Sequence, residues 1–167
     1  MVKKAALLLL AALFVLTAAA CGSGVSANVT TQEGLEVPEG AADFLTAIYT
    51  TDQDGRYTAW LEATEDADGP DSEAAAMANY YGSLSFSDLV TEDLLEQLIA
   101  NRIPYKYDQL YADTPATVEA VAFEAPEDGE EGCDFVVTLT IGSETETRTG
   151  AIRWEEDTAL ISSFWEG

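Results

Sequence analysis

Five of the chain's seven tyrosines, Tyr80, Tyr81, Tyr105, Tyr107 and Tyr111, lie between a helix-patterned first half and a strand-patterned second half. A tyrosine ring packs on flat or apolar ligands while its hydroxyl hydrogen-bonds, so a tyrosine-rich pocket mouth suits sugars, peptides or flat apolar molecules. Beside a carboxylate made basic by burial, a tyrosine donor also serves proton transfer. The chain supplies 31 Asp and Glu for that role, and no spacing singles one out. It has no histidine, which excludes Ser-His and Cys-His mechanisms and imidazole metal ligands. The five tyrosines are therefore candidate pocket-lining residues, with no catalytic set, metal ligand or cofactor assigned. The same pattern also allows Tyr80 and Tyr81 to be helix-core residues, with Tyr105 and Tyr107 flanking a sheet edge.

The acids concentrate in turns. Asp52-Gln-Asp54-Gly55 and Asp66-Ala-Asp68-Gly-Pro-Asp71-Ser-Glu73 resemble calcium loops on the surface. An EF-hand loop needs ligands at alternate positions and glycine sixth. Counted from Asp52, the fifth and sixth positions are Arg56 and Tyr57; counted from Asp66, they are Pro70 and Asp71. Both fail, and helix-breaking turn chemistry accounts for Asp-Gly and Gly-Pro. The run 127–132 reads as a solvated hairpin loop. Only seven Lys and Arg offset the acids, for a net charge of −24, so a phosphate backbone has little to bind and nucleic acid is excluded as a partner. Apolar residues at 47% and aromatics at 10% still suffice for a folded core.

These residues must be positioned by helices first and strands second. Pro38 suits a first helical position, and Ala41, Phe44, Leu45, Ile48 and Tyr49 keep the three-four spacing of one buried face. Residues 50–55 break that helix. Tyr57, Trp60 and Leu61 begin a second, a third runs to Tyr80-Tyr81, and Thr91 caps a fourth that buries Leu94, Leu95, Leu98 and Ile99 and ends at Pro104, with Arg102 in its last turn. Strand signals follow over 117–123, over 133–141 with strict alternation, over 145–154 after a Gly142-Ser143 turn, and over 159–165. Trp60, Trp154 and Trp165 read as core residues. Arg148 and Arg153 fall an odd number of residues apart on one strand and so on opposite faces. Cys133, at the start of its strand, reads as a small buried residue. The expected fold is α+β, with N-terminal helices packed on one face of a curved four-stranded antiparallel sheet.

The N-terminus carries an address. Met1-Val-Lys-Lys supplies two positive charges, and the stretch to Ala20 is uncharged with one polar residue, Thr17. That is a secretory signal, shorter than a membrane span. Its end, Ala18-Ala19-Ala20-Cys21, resembles a bacterial lipobox, and Gly22-Ser23-Gly24 resembles the start of a Gram-positive surface lipoprotein. The resemblance implies removal of residues 1–20, lipidation of Cys21 and anchoring to the cell membrane on its extracytoplasmic face. Residues 21–37 then read as a flexible tether and 38–167 as a single domain. After cleavage, five cations face 31 acids, a net charge of −26.

Ala42-Asp-Phe-Leu-Thr-Ala-Ile-Tyr-Thr-Thr51, Gly55-Arg-Tyr-Thr-Ala-Trp-Leu61, Leu94-Leu-Glu-Gln-Leu-Ile-Ala-Asn-Arg102 and the closing strands resemble a nuclear-transport-factor-2-like or cystatin-like cone domain. That resemblance implies a cone whose open end the tyrosine-rich region can line. It transfers no catalytic residue, since such folds host enzymes and binding modules alike. The expectation is a non-catalytic binding or assembly module whose partner is an envelope protein or a small ligand. An isomerase or hydro-lyase using tyrosine and carboxylate, or a divalent-cation-dependent surface protein, is the alternative. The oligomeric state is left open.

Overall fold

The structure, a computed structural model, describes residues 27–65, 69–126 and 131–167. The signal-like segment, the lipobox with Cys21, and parts of two acidic turns (66–68 and 127–130) lie outside the described residues.

The helices follow the apolar spacing. α1 (Ala41–Tyr49) buries Ala41, Phe44, Leu45, Ala47, Ile48 and Tyr49. It starts three residues later than Pro38, whose carbonyl closes a turn onto the Ala41 N–H. The Asp52 carboxylate then caps α2 (Arg56–Glu65), accepting from the backbone N–H groups of Tyr57 and Thr58 and from the Thr58 hydroxyl. This capping role occupies the first acid of the supposed calcium loop. α3 (Pro70–Gly82) begins at its proline and α4 (Glu92–Ala100) at the Thr91 cap. Arg102 lies beyond the end of α4 in a left-handed conformation. A short α5 (Tyr105–Leu110), absent from the sequence pattern, follows Pro104.

The sheet has five strands in the order β1-β2-β3-β4-β5: β1 (Asn28–Thr31), β2 (Ala116–Glu124), β3 (Cys133–Ile141), β4 (Glu144–Trp154) and β5 (Ile161–Glu166). The last four form the expected antiparallel meander. The four-stranded, wholly antiparallel expectation is corrected by β1, which pairs parallel to β2 from Asn28↔Ala120 to Thr31↔Phe123. Its residues fall inside the stretch read as tether. The physical reason is that β2 otherwise presents a bare edge of N–H and C=O groups, and Val29 adds half-buried apolar surface over the core. The sheet is open, so the chain is α+β with a mixed sheet.

One sheet face carries the helices. Phe135, Val137 and Leu139 from β3, Val118, Val121 and Phe123 from β2 and Ile152 from β4 are buried there. Phe44, Tyr49 and Phe164 fill the centre: Phe44 meets Phe164 edge-on at 5.6 Å, and Phe135 stacks on Phe164 at 5.9 Å. Trp165, expected in the core, is 64% exposed, because register places Phe164 opposite Ile152 and turns its neighbour to the outer face. Leu61 and Ile99, read as buried, are also largely exposed. Cys133 is buried, and burial followed by the Asp134 charge pushes its thiol up to about 12. Native Cys133 should therefore resist a maleimide or disulfide reagent at pH 8 and react only on unfolding. Rapid stoichiometric labelling of the native protein would contradict this burial.

Candidate functional site

Two polar clusters gather the tyrosines. The first is sealed inside. Arg56, at the start of α2, is 4% exposed, and Asp108, on α5, is 0% exposed. Arg56 Nε donates to Asp108 Oδ2 at 2.7 Å and its Nη2 to Oδ1 at 3.0 Å. The Tyr80 hydroxyl donates to Oδ2 at 2.5 Å, and the Asp52 N–H to Oδ1 at 2.8 Å. Arg56 also reaches the carbonyls of Ala47 and Thr50. Every lone-pair direction of the acid is thus spoken for, as a buried carboxylate requires. Burial raises the Tyr80 pKa above the ordinary tyrosine value; the Arg56 charge opposes this and the Asp108 contact adds to it.

Tyr105 packs beside this cluster, with ring centroids 5.1 Å from Trp60 and 5.6 Å from Tyr80. Tyr81 stands edge-on to Tyr80. Its hydroxyl is buried with no hydrogen-bond partner among the described residues, and burial pushes it up to about 12. Tyr80, Tyr81 and Tyr105 are therefore interior packing residues.

The second cluster reaches solvent. α5, β4 and β5 enclose a groove of about 410 Å³ lined by Lys106, Tyr107, Leu110, Arg148, Glu166 and Gly167. Pairing Glu166 with Gly150 aims its carboxylate at α5. There it accepts hydrogen bonds from the Tyr107 hydroxyl and, at 3.3 Å, from the Tyr49 hydroxyl. Lys106 Nζ lies 3.6 Å from it and 4.7 Å from the Tyr107 ring centre. Desolvation raises the pKa of both tyrosines, and the Glu166 contacts add to it. Arg148 stands beside them, on the helix-facing side of β4; Arg153 is on the other. Arg148 Nη2 donates to the Tyr111 hydroxyl and to Glu146 Oε2, the latter at 2.9 Å. Arg148 Nε is buried and unpartnered among the described residues. The hydrogen bond to Tyr111 raises the Arg148 pKa, and desolvation opposes it.

This chain matches no family model, no curated protein and no solved structure.

All five candidate tyrosines are buried; of them, Tyr107 also lines the groove and Tyr111 holds its arginine. Sequence reasoning missed Arg56, Asp108, Lys106 and Glu166. One signal was available: Tyr105 and Asp108, like Tyr107 and Tyr111, sit at helical spacings directly after Pro104. Among the described residues, no three His, Cys, Asp or Glu side chains converge as metal ligands, and no helix is long and apolar enough to cross a membrane.

Proposed function

We propose that the chain is an extracytoplasmic lipoprotein, held to the membrane by a lipid on Cys21, and that its cone-like α+β domain is a non-catalytic binding module. The observation that carries the second half is how the carboxylates near tyrosine are used. Asp108 is shut inside with four donors, and Glu166 is held by two hydroxyls and a lysine. A general base must come within hydrogen-bond reach of the substrate proton; Asp108 is sealed from the groove, and Glu166 would have to give up donors it already holds. The open groove is instead the kind of concavity that holds a ligand by a few polar groups on an apolar wall. The anchor is supported by the signal-like run ending in Ala-Ala-Ala-Cys21; a cysteine carrying two acyl chains would be stably attached. Cys21→Ala is expected to move the protein from the membrane fraction into the medium. Retention of that variant in the membrane, judged by fractionation and immunoblotting, would sink the anchor.

A further inference from the structure

The groove holds one group whose bonding is incomplete. Arg148 lines it with a buried Nε–H that meets no acceptor among the described residues, while the neighbouring Nη2 donates to the Tyr111 hydroxyl and to a single oxygen of Glu146. Guanidinium geometry favours two parallel bonds to one carboxylate. Glu146, two residues away on the same strand, makes only one of them. Its side chain is 45% exposed, so it holds its place weakly. The remaining wall is apolar or flat: the Tyr107 ring, the Leu110 side chain, 64% exposed, and the stem of Lys106. Lys106 lies against Glu166 and offsets its charge. Arg148 is left as the cation able to take a new anion.

We propose that the groove binds a small monocarboxylate with a flat apolar body, whose carboxylate displaces Glu146 and bridges Nε and Nη2 of Arg148. The inference rests on the groove being the binding site of the module. A single negative charge is favoured over a phosphate, because the strongly acidic surface repels each additional charge on a ligand. The ring or chain of the ligand lies on Leu110, which is 64% exposed, and meets only the edge of Tyr107, which is 4% exposed.

The test uses the full chain purified in detergent micelles, with benzoate and phenylacetate as probes and benzylamine and inorganic phosphate as comparators, followed by titration calorimetry and ligand-observed NMR. Saturable binding of one carboxylate per chain is expected, with neither comparator bound. Arg148→Gln should weaken it about tenfold or more, the loss that follows a missing charged hydrogen bond. Glu146→Gln should tighten it about threefold, since it removes the internal competitor. If Arg148→Gln lowers the melting temperature, Leu110→Glu at an exposed position replaces it and should abolish binding with melting unchanged. Failure of both carboxylates to bind, binding of benzylamine in their place, or weaker binding in Glu146→Gln would overturn the proposal. Failure here while Cys21→Ala is still released to the medium removes the ligand class and leaves the anchor standing. The converse result removes the anchor alone.

Discussion

Arg56→Met is expected to cost about 3–5 kcal/mol of folding stability, because it leaves the Asp108 carboxylate charged and without a counter-ion in the interior. Asp108 has no exposed surface, and two of its four donors come from that guanidinium. Arg56 also ties the carbonyls of Ala47 and Thr50 to α5, so its loss leaves both carbonyls without that donor. Asp108→Leu should be similarly damaging, since it strands a buried cation. The pair removed together behaves differently. In Arg56→Met/Asp108→Leu no charge is left inside; the Tyr80 hydroxyl and the Asp52 N–H lose their acceptor and the Ala47 and Thr50 carbonyls lose the Arg56 donor, at about 1–3 kcal/mol for each group left buried and unpaired. The double variant should therefore be more stable than either single one, by urea or thermal unfolding. A double variant that loses the sum of the single losses would show that the two groups are not coupled.

Gly150→Ala should be nearly as costly, about 3 kcal/mol, at the upper end of overpacking penalties. A Cβ on Gly150 meets the Trp165 carbonyl oxygen at 2.1 Å and the Phe135 ring at 2.6 Å. The ring is wedged against Phe164 and the carbonyl belongs to the β4–β5 ladder, so neither yields cheaply. The strand that must move carries Glu166, the partner of Tyr49 and Tyr107, and the damage should spread into the groove. Hydrogen exchange of the β5 amides reads this directly: protection falls in the variant while α1 keeps its own. Gly82→Ala is the control. Nothing lies within 4 Å of its added Cβ, and it should be neutral or slightly stabilising. A Gly150→Ala protein that melts with the parent would refute the packing described for this edge.

Legibility in the sequence followed the size of the repeating signal. α1 and α4 were readable because Phe44, Leu45 and Ile48, and Leu94 and Leu98, repeat at helical spacing, and β3 because Phe135, Val137 and Leu139 alternate. α5 has six residues and no apolar period, and its stability comes from contacts with distant residues: Asp108 to Arg56 and Tyr107 to Glu166. β1 has four residues and exists because β2 needs an edge partner, a demand set 92 residues away in the chain. The same reasoning explains the site. Tyrosines announce themselves by type, but which of them meet the groove is settled by tertiary partners: Asp108 holds the Tyr80 hydroxyl inside, and Glu166 holds that of Tyr107 beside the groove. Arg56 and Glu166 carry no local mark among so many charged neighbours.

β1 changes how far the domain can wander. With an anchor at Cys21, as proposed, six peptide units separate it from Ala27, the residue before β1. Six peptide units reach at most about 20 Å, against about 55 Å for the sixteen that end at Val37. On that proposal the β1 edge stays within about 20 Å of the anchor. The Arg148–Glu166 groove, built on β4 and β5, lies three to four strand spacings across the sheet from that edge, about 15–20 Å.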